Sequence, residues 1–561
     1  MTSLAGGHLR LRHFRVLLAV LVLATAALAW ALIARPGSGF TPSFPPGSNP
    51  AASGAPTGAA VPSSLEPSLA RLAASAPQRR VQVIIQVVRG VDPARGASLV
   101  SALGGHAGPV VPIINGLSAQ MTARAAARLA ASHLIHAVSL NTVLKSTSLP
   151  DGLDPWALDT TFDQSTGAAR LWRRSTGQGV GVAVIDTGID GDLPDFRTSQ
   201  SDTTSRVIAS AVIDPNASTA DDTYGHGTAV AGVIAGNGEY RDPGDPEQGE
   251  YAGTAPDANL IAIKVADDTG ASTTLDAIYG LQFAVDHKDA YNIGVINMSF
   301  RSTAAQSYTT DPLDAAAEQA WFDGIVVVAA AGNLGTDPDA VDYAPGNDPY
   351  VLTVGAVDEQ GTPSPWDDVQ ASWSSQGTTQ DGIAKPDVLA PGAHIVTTLA
   401  PNSDFATLCP SCIVQNDYFQ VSGTSLAAPI VAGIAADLVA AHPNWTPEMV
   451  KGAIVNTATQ LPSGGVEVNG DRADWAYGRQ LISDQGLTPN QLIDPDTGTI
   501  DYSAASWSAG DWTPATDPLA ASWSAASWSC ESCSSPDGSG GSSVSPTSAS
   551  WSTVGWTTMW G

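Results

Sequence analysis

From about residue 178 onward, short apolar runs alternate with longer amphipathic stretches. The runs are GVGVAVI at 179–185, ANLIAIKV at 258–265, NIGVINM at 292–298, GIVVVAAA at 324–331 and YVLTVGAV at 350–357. Runs of this length, rich in Val and Ile, read as strands buried on both faces. Stretches of helical length and spacing occupy 226–236, 273–287, 312–323, 425–441 and 446–458. The last opens with Thr446-Pro447-Glu448, a cap followed by proline at the first helical position. Strands alternating with helices predict an α/β fold, a doubly wound, mainly parallel sheet flanked by helices. Upstream, VQVIIQVV at 81–88 and IHAVSL at 135–140 read as strands, and TARAAARLAAS at 122–132 as a helix. These define a small α+β unit over 80–147.

The ends of the chain have a different texture. Arg10, Arg12 and Arg15 precede an apolar run from Val16 to Ala34, which is read as an export signal within 1–34. It is also just long enough to serve as a retained membrane anchor. Residues 35–79 are rich in Pro, Gly and Ala and are expected to be a linker. The segment 488–561 is rich in Ser and Trp, with AASWS at 504–508, 520–524 and 525–529 and SASWS at 548–552. It reads either as a disordered tail or as short strands whose indole rings dock elsewhere.

With 54 acidic and 25 basic residues the formal charge is −29, which repels nucleic acid and anionic membrane surfaces. Any membrane association therefore depends on residues 16–34. Four cysteines form two CxxC pairs, Cys409 with Cys412 and Cys530 with Cys533. Their separation argues against a shared zinc site, and in an exported protein two local disulfides are the favoured pairing.

Three segments carry candidate chemistry. Ser425 lies in SGTSLAAPIVAG at 422–433, where an Ala-rich helix begins. A hydroxyl there sits among unpaired N–H groups that favour negative charge. His226 lies in YGHGTAVAGVIAG at 224–236, and its glycine flanks are read as leaving room for an imidazole at a cleft edge. Asp186 ends the strand in GVAVIDTGID at 181–190, at the carboxyl edge where open α/β sheets place their sites. Each residue alone has an ordinary structural reading as a cap, a core histidine or a strand end. Their joint occurrence, in the order Asp, His, Ser, resembles the three signature segments of the subtilisin-like serine protease family.

The resemblance spans about 155–487 and implies a secreted serine endopeptidase acting on proteins or peptides. Asp186 would orient His226, His226 would act as base, and Ser425 would form the acyl-enzyme. AAAGN at 329–333 matches the segment whose asparagine completes the oxyanion hole, here Asn333. One pocket wall in the family corresponds to Ser299, Phe300 and Arg301, and Leu334 stands opposite. Arg301 departs from the glycine common there; it either narrows the pocket or swings outward toward acidic residues further along the substrate, and the outward course is expected, leaving a pocket for Leu, Phe, Met or Tyr. Residues 80–147 are similar to the inhibitory prodomain, an intramolecular partner that the enzyme removes by a cut between 145 and 160. The resemblance also implies structural calcium at Asp195 in LPDF; the acidic loop 237–252 does not match the family and reads either as a further source of ligands or as a solvated acidic loop. No cofactor is expected for catalysis. A lipase or esterase is disfavoured because GTSLA replaces GxSxG. The alternative is an inert surface-binding protein that uses its Trp-rich tail, and the complete triad speaks against it.

Overall fold

The computed structural model describes residues 64–146, 148–149, 161–199, 201–238 and 249–491, with backbone alone at 146, 148–149 and 528–529. The run Val16–Ala34 lies outside the described residues, as do Cys530, Cys533 and almost all of the Trp-rich repeats.

The first described element is α1, Pro67–Ser75, whose N-terminus is capped by the Glu66 carboxylate through the Ser68 and Leu69 N–H groups. Then follow β1 (Arg80–Val87), α2 (Pro93–Ala102), β2 (His106–Val111), β3 (Gly116–Thr122), α3 (Ala123–Ala130) and β4 (Ile135–Leu140). The four strands form one antiparallel sheet in the order β2-β3-β1-β4. Strand alternation divides β1 between two cores: Val83, Ile85 and Val87 pack with Leu69, Leu117, Met121 and Leu129, while Ile84 joins the large core downstream. Because α1 packs into the small core through Leu69, this unit includes 67–75, where a helix stands in place of the expected linker.

Two short backbone strands come next, β5 (Lys145–Ser146) and β6 (Ser148–Leu149). The large sheet is built from β7 (Gly181–Asp186), β8 (Val207–Val212), β9 (Asn259–Lys264), β10 (Ile293–Met298), β12 (Val326–Ala330), β13 (Leu352–Asp358) and β14 (Val388–Pro391). Its parallel order is β14-β13-β12-β10-β7-β9-β8. Strand β11 (Phe300–Arg301) continues past the end of β10, and β15 (Tyr418–Gly423) belongs to a smaller sheet. Backbone Trp528–Ser529, within one AASWS repeat, adds an antiparallel strand to the β8 edge.

The covering helices are α4 (His226–Ala235), α5 (Thr274–Asp286), α6 (Pro312–Phe322), α7 (Thr424–Ala441) and α8 (Pro447–Thr457). Helix α7 lies along β10, β12 and β13 and packs on α4, whereas α5 and α6 pair with each other. Helix α7 is apolar all round because it is interior: every residue from Thr424 to Leu438 is buried.

The core runs slightly past the expected boundary at 487. Asn490 is fully buried, its N–H donates to both Glu318 carboxylate oxygens, and its side-chain amide donates to the Tyr308 and Asp311 carbonyls. Truncation after Gln491 keeps this anchor and, among the described residues, removes only the backbone strand at the β8 edge, so its melting temperature is expected to exceed that of a shorter truncation. Truncation after Leu487 removes the Glu318 partners at a cost of about 1–3 kcal/mol, which a thermal melt would detect. Equal melting of the two truncations would contradict the anchoring role of Asn490.

Candidate active site

The carboxyl edge of the parallel sheet gathers the predicted residues. Asp186 is the last residue of β7 and His226 the first of α4; both are buried. Their contact is short: His226 Nδ1 lies 2.6 Å from Asp186 Oδ1, which also accepts the Thr187 N–H at 2.8 Å. The ionised carboxylate can only accept, so this bond places the neutral imidazole's proton on Nδ1 and leaves a lone pair on Nε2. Nε2 is buried and has no hydrogen-bond partner among the described residues. Burial pushes the His226 pKa down, but the charge and hydrogen bond of Asp186, with Asp222 adding, outweigh it and raise the pKa above 6.5.

The glycines around His226 serve a different end from the one expected. Gly225 sits at the helix cap with φ 100°, a left-handed conformation that favours glycine. A Cβ on Gly227 would fall 2.2 Å from the Gly188 carbonyl oxygen and one on Gly225 2.5 Å from Ser403 Oγ, so Gly227 sets the approach of α4 to the end of β7 and Gly225 its approach to the segment of Ser403 and Phe405.

Asp222, which the sequence reading passed over, ties the two elements together. Its Oδ1 accepts from Thr187 Oγ1 and the Gly225 N–H, and its Oδ2 accepts from the Thr228 N–H at 2.7 Å. Thr187 Oγ1 in turn accepts the Gly227 N–H. An Asp four residues before a helix-opening His was the available signal.

Ser425 is the second residue of α7 and is fully buried. Pro429 occupies the helix interior and has no N–H to give the Ser425 carbonyl four residues back. The Ser299 hydroxyl supplies that bond at 2.9 Å and itself accepts from Asn297 Nδ2. The INMS segment at the end of β10 thus locks the first turn of α7. Asn333 follows β12, and its Oδ1 accepts from both the N–H and the hydroxyl of Thr424. That pairing fixes the amide orientation, so the donor nitrogen projects away from Thr424.

Of the pocket residues, Ser299 and Phe300 are buried, while Arg301 and Leu334 are partly exposed. Arg301 does not swing outward: its guanidinium stacks 4.5 Å over the Tyr343 ring.

Of the two local disulfides expected, one is formed, between Cys409 and Cys412. The second, between Cys530 and Cys533, falls outside the described residues and stays a proposal. Asp195 is fully buried, with Thr398 Oγ1 at 2.6 Å and Tyr418 Oη at 3.1 Å from its carboxylate. Among the described residues no cluster of three or more His, Cys, Asp or Glu is arranged to hold a metal, and 239–248 lie outside them. No step of the chemistry is routed through a metal.

The small N-terminal unit reaches this edge. Asn141 Oδ1 accepts the Leu275 N–H and the Thr142 carbonyl accepts the Thr274 N–H, so the start of α5 is capped from outside. Leu144 is buried in a cleft lined also by His226, Ser299 and Phe300. Strand β5 pairs antiparallel with β11, with Arg301 opposite Lys145 and Phe300 opposite Ser146. Strand β6 pairs antiparallel with β15, with Ser422 opposite Leu149 and Gly423 opposite Ser148.

Comparison with known proteins agrees with this architecture. The subtilase family model matches residues 177–478. Serine protease AprX of Bacillus subtilis (strain 168) is 37% identical over 341 residues, covering 60% of this chain and 72% of AprX. Subtilisin E of the same organism is 32% identical over 312 residues; the match covers 55% of this chain and 66% of subtilisin E, just under two thirds. Among solved structures, fervidolysin from Fervidobacterium pennivorans, a keratinolytic enzyme related to subtilisin, aligns with a TM-score of 0.52 and 25% identity. That alignment covers 71% of this chain and 61% of fervidolysin. The chain belongs to the subtilase family and is a serine endopeptidase with the subtilisin-like fold.

Proposed function

We propose that the protein is an exported endopeptidase working through Asp186, His226 and Ser425, made as a precursor that removes its own N-terminal unit. The observation that carries the reading is the buried 2.6 Å contact between His226 and Asp186, which leaves the Nε2 lone pair to act as the base. Nε2 takes the Ser425 hydroxyl proton as the oxygen attacks the substrate carbonyl. The oxyanion meets the N–H groups at the start of α7 and the Asn333 amide. The protonated imidazole then gives its proton to the leaving amine, and water repeats the sequence to release the acyl group.

Residues 64–147 act in this reading as an inhibitory prodomain whose last strand lies in the cleft as a substrate would. Strands β5 and β6 pair with opposite walls of the cleft, and the chain between them is the single residue Thr147. The register of the two ladders favours the Thr147–Ser148 bond as the self-cut, within the expected 145–160. Sequencing the N-terminus of the processed enzyme tests this: Ser148 is expected, and a start beyond 150 would contradict it.

The pH profile follows from the charge state of His226. Only the neutral imidazole accepts the serine proton, so activity falls as pH drops through the His226 pKa. Because Asp186 raises that pKa, the acid limb of kcat/KM is expected above pH 6.5, with high activity in mild alkali. An optimum on the acid side of this limb would remove the histidine-base mechanism.

A further inference from the structure

We propose that Arg301 and Tyr343 together floor the pocket for the residue before the cut bond, leaving it shallow, so that this protease selects Ala, Ser or Thr there. The inference rests on the proposed active site and names its substrate class.

The β5–β11 ladder shows how an extended chain lies against the cleft wall, with Lys145 opposite Arg301 and Ser146 opposite Phe300. A substrate laid in the same register brings its next residue opposite Ser299, whose hydroxyl bonds the Ser425 carbonyl. Directly opposed residues of an antiparallel pair project to the same face, and alternate residues share a face. The side chain opposite Ser299 therefore projects to the face that Arg301 occupies.

On that face Arg301 spans the gap between the two walls. Its Cδ would lie 3.3 Å from a Cβ built on Gly332, the residue before Asn333. Its guanidinium lies over Tyr343, and Nη1 donates to the Ser302 carbonyl at 2.9 Å. Tyr343 is held in turn: its hydroxyl donates to Asp339 at 2.8 Å, and its backbone bridges to Ala305. The Ser302 N–H donates to the Ala344 carbonyl, closing the same segment from below. A large side chain before the cut bond would have to displace a stacked, hydrogen-bonded arginine. An acidic one would meet the guanidinium, but with the Asp339 carboxylate already bonded to the Tyr343 hydroxyl. A small side chain needs neither change, and Thr147, which precedes the proposed self-cut, is small.

The test measures kcat/KM of the processed enzyme on peptides Leu-Lys-Ser-X-Ser-Leu, whose frame is that of residues 144–149. Position X carries Ala, Ser, Thr, Leu, Phe, Lys or Glu. Small residues are expected to exceed Phe by about tenfold or more, the scale on which pocket size discriminates. Arg301→Gly should reverse the order toward Phe and Leu, whereas Arg301→Gln, uncharged and shorter but keeping the Cδ position that lies against Gly332, should keep a preference for small residues over Phe. A preference for Glu that Arg301→Gln abolishes would make the arginine a counter-ion and overturn the proposal, as would a wild-type preference for Phe or Leu. New termini in a digested unfolded protein read the same preference without designed peptides. Equal digestion by Ser425→Ala would sink the active-site assignment itself.

Discussion

Ser425→Ala is expected to accumulate as the full precursor, with the bond between Thr147 and Ser148 intact. The reason is geometric: β5 and β6 carry the chain along both walls of the cleft, so in the proposed reading the nucleophile that cuts it is the chain's own. An intramolecular cut needs no high affinity, because the substrate is held at a large effective concentration. The small N-terminal unit should stay docked in this variant, since Asn141 and Thr142 still cap α5 and Ile84 still joins the large core. Turnover of an added peptide should fall on the order of 10⁶, a magnitude carried over from subtilisin for loss of a triad member. Gel mobility and intact mass after expression check the processing. A variant trimmed like the wild type would show that another protease makes the cut.

Asn333→Leu should process slowly and lose about 10² to 10³ in kcat, again the scale known for the matching donor in subtilisin. Leucine is close in volume to asparagine but can give no hydrogen bond to an oxyanion. It also leaves the Thr424 N–H and hydroxyl without the acceptor that Asn333 Oδ1 provides. The two losses separate by measurement. Weaker transition-state binding lowers kcat with KM little changed, whereas a loosened α7 start would lower the melting temperature as well. A kcat within about threefold of wild type would remove Asn333 from the oxyanion hole.

Much of the large sheet was legible because its strands are buried on both faces and read as unbroken apolar runs. GVAVID, NLIAIK and IGVINM are found within a residue or two of their expected ends. The strands that escaped notice, VIASAV at 207–212 and VLAP at 388–391, are short, and one is diluted by Ser and Ala and the other ends in proline. Helix α1 was hidden by the composition of the segment before it, although Glu66-Pro67 is a cap followed by an N1 proline.

At the site, the signature segments pointed to Asp186 and His226, whose side chains meet at 2.6 Å across 40 positions of sequence, while their roles belong to the proposed function. The CxxC spacing sufficed for Cys409 and Cys412, whose bridge closes within a single turn of chain. Spacing did not reveal Asp222, whose role depends on two elements converging, nor the inward set of Arg301. The latter hinges on Tyr343, 42 positions downstream, whose backbone is drawn beneath the pocket wall by its bridge to Ala305. Its contact with Arg301 follows from the chain path and has no local signature.

The central claim is that Ser425 is a nucleophile made reactive by His226. Peptide mapping of the processed enzyme after treatment with a serine-directed sulfonyl fluoride tests it most directly. The account predicts loss of activity in step with a single adduct on Ser425, and no adduct when His226 is replaced by alanine. An unmodified Ser425 in inactivated enzyme, or equal labelling in the absence of His226, would contradict it.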